Sequence, residues 1–270
     1  MRNKSVPINI LVISDIHGNK EALQEVEKYL KKHQVEQIVC LGDVVGYGVD
    51  FEWCLNWLNK QNAIILEGNH ESMIIGETPD DKCSDIGKQA VEWTKRHMND
   101  MIRQQIAHLP RVYEYKNINF THAGYSKNPE WIYIQDLNDA LKAFGDNGMI
   151  NFFGHTHRAC VISQKGEKIV LDKRCRLILS LDHRYYINPG SVGQNRGDKT
   201  RLVFMTLEIH KDKMILNYLV KKYKSYKTFQ KLQECGMDQR ISEYLIRERW
   251  RRKLYKGIYK ISTFNRRAFK

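Results

Sequence analysis

A chain of 270 residues is long enough to bury one large core or two small ones. With 42% hydrophobic and 28% charged residues, its composition is that of an ordinary globular protein, and no apolar stretch approaches the length of a membrane-spanning helix. The six cysteines are scattered without a CxxC pair, which favours reduced thiols in a cytoplasm over a disulfide framework or a zinc finger.

The positive charge is concentrated at the C-terminus. The formal net charge is +13, and residues 221–270 hold 16 Lys and Arg against 4 Asp and Glu. The first 220 residues are nearly neutral, with 28 basic against 27 acidic residues. A solvated end of the chain and a surface that binds polyanions are both open interpretations of this segment.

Short apolar runs alternate with helical segments in the first half of the chain. The opening apolar run is short and ends in Ser14-Asp15, so it predicts a first strand rather than an export signal. The predicted strands are Ile8–Ser14, Gln37–Leu41, Ala63–Leu66, Ile118–Thr121 and Ile150–Phe153, and the predicted helices are Asn19–His33, Phe51–Lys60, Ser84–His97, Asn99–His108 and Asp136–Phe144. This βαβαβ opening predicts parallel strands with helices packed outside them.

The pattern changes to strands alone between Lys168 and Leu219. The predicted strands are Lys168–Leu171, Arg176–Ser180, Arg184–Ile187, Arg201–Ile209 and Lys213–Leu219. We expect them to form a second, largely antiparallel sheet. Because there is no internal repeat, low-complexity tract or clear linker, we expect one domain followed by a C-terminal extension.

Each of the first five predicted strands ends in residues that can bind metals or transfer protons. The ends contain Ser14-Asp15-Ile16-His17, Leu41-Gly42-Asp43, Glu67-Gly68-Asn69-His70, Thr121-His122 and Gly154-His155-Thr156-His157. The carboxyl ends of strands are where sites assemble in open α/β sheets, so we expect these residues to converge. Carboxylates mixed with imidazoles suit manganese, iron or zinc, and one Asp between two sets of ligands can bridge a pair of metals.

In this order the strand ends form the motifs D-x-H, G-D, G-N-H, H and G-H-x-H. From about Ile8 to Ile209, the chain resembles the calcineurin-like metallophosphoesterases. Gly42–Gly48, the helix with Trp93-Thr94, and Asn188–Gln194 are similar to the prokaryotic phosphodiesterase branch of this family. That branch includes phosphodiesterases and enzymes that cleave diadenosine tetraphosphate. Its members also contain a helical stretch like Tyr226–Glu248, which implies a domain over residues 1–248 and a basic tail over 249–270.

The resemblance implies a four-layer α/β/β/α sandwich of two mixed sheets, with a site for two divalent metal ions between them. It implies one metal held by Asp15, His17, Asp43 and His157, and a second held by Asp43, Asn69, His122 and His155. It further implies that a metal-bridging hydroxide attacks the phosphorus while His70, which is not a ligand, faces the scissile phosphate and protonates the departing oxygen. Glu71 is expected to cap the following helix or to support a ligand.

The chain departs from the Ser/Thr protein phosphatases of the family at two positions. Those enzymes carry arginines where this chain has Tyr47 and Glu67. An arginine fork binds the charged oxygens of a monoester dianion. The absence of these arginines therefore favours diesters or phosphoanhydrides as substrates, such as those of nucleotides and dinucleoside polyphosphates. Arg158 and Arg196 are candidate phosphate-binding residues, and a surface or supporting role is the alternative for each.

Three other functions remain open from the sequence. The first is a Ser/Thr-type protein phosphatase or phosphomonoesterase. The second is a nuclease that binds nucleic acid through the basic tail, where Arg247, Arg249, Arg251, Arg252 and Lys253 cluster beside Trp250. The third is a non-catalytic scaffold, although the complete set of ligands argues against it. For the favoured phosphoesterase we expect a small phosphorylated substrate, a cytoplasmic location and no association with membranes.

Overall fold

The computed structural model of the protein describes residues 7–79, 83–124, 131–145, 147–198, 200–237 and 239–243. Its strands are β1 Ile8–Ile13, β2 Gln37–Cys40, β3 Ile64–Ile65, β4 Val112–Tyr115, β5 Ile118–Thr121, β6 Ile150–Phe152, β7 Cys160–Ser163, β8 Lys168–Val170, β9 Cys175–Leu179, β10 Tyr185–Asn188, β11 Arg201–Ile209 and β12 Met214–Lys222. Its helices are α1 Lys20–Leu30, α2 Phe51–Lys60, α3 Asn69–Ile75, α4 Asp85–His97, α5 Asp100–Ala107, α6 Leu137–Phe144, α7 Ser225–Glu234 and α8 Gln239–Glu243.

The described strands form two six-stranded sheets, with the orders β3-β2-β1-β11-β12-β9 and β4-β5-β6-β10-β7-β8. Both sheets are mixed, because β1 is parallel to β2 and antiparallel to β11, while β10 is parallel to β6 and antiparallel to β7. Val12 and Val39 of the first sheet share a core with Phe120 and Phe152 of the second. Helices cover the outer faces, which confirms the predicted α/β/β/α sandwich.

The strands after residue 168 do not form a sheet of their own, so that expectation was wrong. Strands β9, β11 and β12 extend the first sheet, while β8 and β10 join β4, β5 and β6 in the second. The burial of β11 explains the difference. Leu202 and Phe204 point into the helix-covered core, and Val203 and Met205 point into the core between the sheets. A strand buried on both faces belongs in the middle of a covered sheet, where β11 pairs with β1.

Local hydrogen bonds explain where the predicted helices begin. The side chain of Asn19 accepts a hydrogen bond from the backbone N–H of Ala22, so Asn19 is the N-cap of α1. Ser84, Asn99 and Asp136 cap α4, α5 and α6 in the same way. Because α1 starts at Lys20, the residues between β1 and α1 form a short turn at the edge of the sheet.

Helix α7 packs onto the beginning of α1 through buried polar contacts. The Thr228 hydroxyl lies 3.1 Å from Asn19 Oδ1 and 2.9 Å from a Glu21 carboxylate oxygen. The ammonium of Lys231 contacts both Glu21 and Asp50, at 2.8 and 2.6 Å. Helices α7 and α8 lie within the predicted helical stretch Tyr226–Glu248, apart from the first residue of α7.

The predicted basic tail over 249–270 lies outside the described residues, and so does the boundary proposed at residue 248. The predicted nucleic-acid role of that tail therefore stays a prediction. No helix within the described ranges is long and apolar enough to cross a membrane.

Candidate metal centre

The polar strand ends meet in the cleft between the two sheets. The turns after β1 and β2 and the start of α3 supply side chains from the first sheet, and the turns after β5 and β6 supply those from the second. Two groups of side chains place their ligand atoms within 4.8 Å of one another, namely Asp15, His17, Asp43 and His157, and Asp43, His122 and His155. All of these side chains are buried, and Asp43 belongs to both groups.

The backbone of these turns adopts the left-handed conformation that side chains other than glycine rarely take. Positive φ angles occur at Asp15 (53°), His17 (48°), Asp43 (53°), His155 (63°) and His157 (56°). Each costs of order 1 kcal/mol, and such strain concentrates at functional sites. The surrounding hydrogen bonds hold the strained turns in place. They include the bonds from the Asp15 and His17 N–H groups to the carbonyls of Gly42 and Asp43.

Backbone carbonyls fix the tautomers of three histidines. Nδ1 of His17 lies 3.0 Å from the Val45 carbonyl, Nδ1 of His122 lies 3.0 Å from that of Leu41, and Nδ1 of His157 lies 2.7 Å from that of Gln194. Because a carbonyl only accepts hydrogen bonds, each Nδ1 carries a proton and donates it. The Nε2 lone pair of a neutral ring is then directed into the centre, which is the usual orientation of a metal-binding imidazole.

Lone pairs face one another in the centre. Nε2 of His17 lies 3.1 Å from Nε2 of His157, and Nε2 of His122 lies 3.1 Å from Oδ1 of Asn69 and 3.3 Å from Oδ2 of Asp43. Acceptors at these distances repel unless a cation or a proton lies between them. Among the described residues, Oδ2 of Asp15 and Nε2 of His155 are buried without a hydrogen-bond partner. These residues therefore fit two adjacent divalent cations.

Burial and neighbouring charges keep most of these groups in the protonation state that binds cations. Burial alone would raise the pKa of the Asp43 carboxyl, but the neighbouring histidines hold it well below its ordinary value. Burial lowers the pKa of His155 to about 3 and the pKa of His17 well below its usual range. His122 differs, because the Asp43 carboxylate overcomes the effect of burial and raises its pKa to about 9. A cation that binds His122 must therefore displace a proton.

Glu71 holds the loop that carries Asp43. Its Oε2 accepts hydrogen bonds from the N–H groups of Asp43 and Gly68, and its Oε1 accepts them from Val44 and Val45. Burial and the charge of Asp43 raise the pKa of Glu71 to about 7, while the backbone N–H groups act in the opposite direction. Both expected roles of this residue are seen, since the Gly68 contact caps α3 and the other three contacts hold the Asp43 loop.

A segment without an assigned role in the sequence also holds the site together. Asn188 Nδ2 donates to the Gly154 carbonyl and to the Thr156 hydroxyl, at 2.7 and 3.0 Å. Ser191 Oγ donates to the Asp15 carbonyl at 2.8 Å. The only sequence signal for these contacts was the resemblance over Asn188–Gln194. The structure adds the physical role, which is to join the turns after β1 and β6.

His70 lies beside the metal-ligand groups and belongs to neither of them. Its backbone N–H donates to Oδ1 of Asp43 at 2.9 Å, and its ring lies 4.9 Å from the rings of His17 and Tyr47. Its Nδ1 is buried and has no hydrogen-bond partner within the described ranges. Burial lowers the pKa of His70, so the ring is neutral before a substrate binds.

A cavity of about 1120 Å³ opens above this centre. Asp43, His70, His155 and Arg196 lie on its wall, together with Trp131, Tyr133 and Tyr47. Arg158 is exposed and is not among the residues that line it. The structure thus brings one of the two predicted phosphate-binding arginines to the cavity.

The residue before the G-N-H motif is engaged in an ion pair. The Glu67 carboxylate is buried and lies 2.7 Å from the Arg111 guanidinium, which also contacts Glu77 at 2.6 Å. Two carboxylates thus neutralise the charge of Arg111, so this arginine is not available to bind a phosphate.

The sequence and the fold match those of known proteins. A family model described as the calcineurin-like phosphoesterase superfamily domain matches residues 8–212. An uncharacterized protein of Methanocaldococcus jannaschii is 36% identical over 193 residues, which cover 69% of this chain and 77% of that protein. A metallophosphoesterase from Sphaerobacter thermophilus, of known crystal structure, is 26% identical with a TM-score of 0.73, and the match covers 88% of this chain and 98% of that one.

A hypothetical protein of Pyrococcus horikoshii has the same fold. Its crystal structure matches with a TM-score of 0.67 at 14% identity, over 88% of this chain and 97% of that one. The chain therefore belongs to the calcineurin-like phosphoesterase superfamily and is a metallophosphoesterase, a phosphoric ester hydrolase with a buried His/Asp metal-binding site.

Proposed function

We propose that this protein hydrolyses phosphodiester or phosphoanhydride bonds of nucleotides or dinucleoside polyphosphates. The observation that carries this proposal is the charge around the centre. Arg196 is the one arginine among the described residues that line the cavity, and Arg111 is already paired with Glu67 and Glu77. A doubly charged monoester needs an arginine fork, whereas a singly charged diester does not.

Two divalent metal ions, manganese, iron or zinc, would complete the site. Asp15, His17, Asp43 and His157 would hold one ion, and Asp43, Asn69, His122 and His155 would hold the other. When bound, such a pair activates a water molecule and neutralises the phosphoryl oxygens. The opposed Nε2 lone pairs of His17 and His157 support the first site, since a cation between them removes the repulsion. The buried Nε2 of His155, which has no hydrogen-bond partner among the described residues, supports the second.

The protein's own residues would supply the remaining chemistry. His70 lines the cavity, and its ring is not tied to either ligand group. The negative charge of a bound phosphate would favour the protonated form of this ring, which could then donate its proton to the departing oxygen. The hydrogen bond from the His70 backbone N–H to Asp43 holds this residue beside the carboxylate that the two ligand groups share. Arg196 also lines the cavity and would bind a phosphoryl oxygen, with its guanidinium 6.0 Å from the centroid of the Tyr133 ring.

The size and lining of the cavity support a nucleotide-sized substrate. Its volume of about 1120 Å³ exceeds the ~300–1,000 Å³ of most ligand pockets. Trp131 and Tyr133 lie on its wall, with Trp131 oriented by a hydrogen bond to the Thr78 hydroxyl at 3.1 Å. Aromatic side chains in this position can pack against a base.

Hydrolysis of an aryl phosphodiester and of the matching monoester, each with added manganese, tests this proposal. We expect the diester to be the better substrate and Asp43→Asn to abolish its turnover. Turnover of the monoester alone would contradict the argument from charge. Inactivity toward both, in a protein shown to contain two metal ions, would contradict the proposed reaction for small substrates.

A further inference from the structure

Tyr47 occupies a strained position next to the centre. It lies in the loop after β2 with a φ angle of 56°, which is rare for an aromatic residue and costs of order 1–3 kcal/mol. The preceding residue, Gly46, has a φ of 81°, and any side chain there would collide with the His70 ring. The backbone of the loop at Gly46 therefore lies directly against the His70 ring.

The Tyr47 ring is held from two sides. Its centroid lies 4.9 Å from that of His17, at an interplanar angle of 89°, and 4.9 Å from that of His70. On its other side it packs against an apolar cluster from α4, α7 and the residues that follow α7, which consists of Ala90, Phe229, Leu232, Met237 and Ile241. The position of this ring is thus determined by packing that does not depend on a substrate.

The hydroxyl of Tyr47 has no structural task within the described ranges. The residue lines the cavity, and its hydroxyl makes no hydrogen bond to another described residue. A phenol is protonated at neutral pH, so this hydroxyl has a hydrogen to donate. A strained, packed ring that presents an unused donor to an active-site cavity is expected when that donor binds a ligand.

Arg196 lies on the same wall. It lines the cavity together with Tyr47, and it forms no salt bridge with a carboxylate in the part of the chain that the structure describes. One neutral O–H donor and one arginine without a salt bridge among the described residues therefore line the cavity together with His70. This set provides less positive charge than the two arginines found in the Ser/Thr phosphatases of the family.

We infer that Tyr47 is a catalytic residue that donates a hydrogen bond to a non-bridging phosphoryl oxygen, and that it selects singly charged phosphates over monoester dianions. The inference rests on the proposed function and deepens it. A phenol offers one uncharged donor, which suits the single negative charge of a diester. A guanidinium offers parallel donors and a positive charge, which suit a dianion.

The main test compares Tyr47→Phe with Tyr186→Phe. Both remove one hydroxyl and keep the ring, but Tyr186 is fully buried in β10 and its hydroxyl has no hydrogen-bond partner in the described structure. With manganese bound, we expect Tyr47→Phe to lower kcat/KM for the aryl diester by ~10- to 100-fold, with unchanged metal content and Tm. Tyr186→Phe should be indistinguishable from the wild type. A Tyr47→Phe value within about twofold of the wild type would overturn the inference.

A second variant tests selectivity directly. Tyr47→Arg restores the arginine of the Ser/Thr phosphatases, so we expect the ratio of monoester to diester kcat/KM to rise by about tenfold or more. If Tyr47→Arg does not fold, the comparison of Tyr47→Phe with the wild type still tests whether the Tyr47 hydroxyl contributes to the reaction. An unchanged ratio in a folded, metal-loaded Tyr47→Arg protein would contradict the selective role.

Binding of inorganic phosphate separates this inference from the proposed function. The affinity of the manganese-loaded protein for phosphate is measured by calorimetry, and we expect Tyr47→Phe to weaken it by about fivefold. If the wild type hydrolyses neither ester but this loss appears, the proposed reaction is wrong and the role of Tyr47 stands. Equal phosphate affinities would refute the role of Tyr47 even in an active enzyme.

Discussion

Replacing Asn188 by alanine should loosen the turn that carries two of the candidate ligands. Asn188 is the last residue of β10 and is fully buried. Its Nδ2 donates to the Gly154 carbonyl and the Thr156 hydroxyl, and its Oδ1 accepts from the Gly190 N–H at 2.8 Å. The first two contacts flank His155, whose φ angle of 63° is sustained by the surrounding hydrogen bonds.

The expected loss of stability follows from the hydrogen bonds that the substitution removes. Asn188→Ala removes three buried hydrogen bonds at about 1 kcal/mol each and leaves the Gly190 N–H without this acceptor. We therefore expect the free energy of unfolding to fall by about 3 kcal/mol. Residues that orient metal ligands typically change affinity by 10- to 100-fold, so manganese affinity should fall by ~10-fold or more.

Urea denaturation of the metal-free protein and manganese titration of the folded protein measure the two effects separately. Asn217→Ala is the matched control, since Asn217 lies on β12 outside the cavity and donates to Thr206 and Glu208. It should cost some stability and leave manganese affinity unchanged. If Asn188→Ala lost stability but kept wild-type manganese affinity, the role of Asn188 in positioning the turn would be refuted.

The other predictions concern the centre itself. His70→Ala should retain both metal ions and lose ~10²- to 10⁴-fold in kcat, and loss of metal without a further effect on rate would remove His70 from the mechanism. Because the pKa of His122 is about 9, a bound cation must displace its proton at lower pH. Manganese affinity should therefore rise with pH up to about 9, with close to one proton released per chain near pH 7 in calorimetry with different buffers. Arg196→Ala should raise KM for the diester by ~10-fold, whereas Arg158→Ala, at an exposed position outside the cavity, should not.

The convergence of the strand ends could be predicted because its signals are local. An apolar run that ends in Asp15 or in His155 identifies both the strand and the edge where its side chains meet the others. The starts of the helices also depend on local contacts, since Asn19 needs only the N–H of Ala22 to act as a cap. The family resemblance then supplied the order of the layers, which such local patterns do not contain.

The partners of the later strands depend on contacts distant in sequence. The pairing of β11 with β1 joins residues about 200 positions apart. The continuous apolar run from Leu202 to Met205 is typical of a strand buried on both faces, but it does not identify the strands beside it. The choice between Arg158 and Arg196 was open for the same reason. Which of them reaches the cavity depends on how the segment after β10 folds back over His157, where Gln194 accepts its Nδ1 hydrogen.

Hydrolysis of the aryl phosphodiester during a manganese titration of the metal-free protein tests the central claim most directly. The two groups of ligand atoms that share Asp43 predict that activity appears as two ions bind per chain, and that Asp43→Asn prevents it. Full diester activity in the metal-free protein would contradict the account, as would an inert protein with both ions bound.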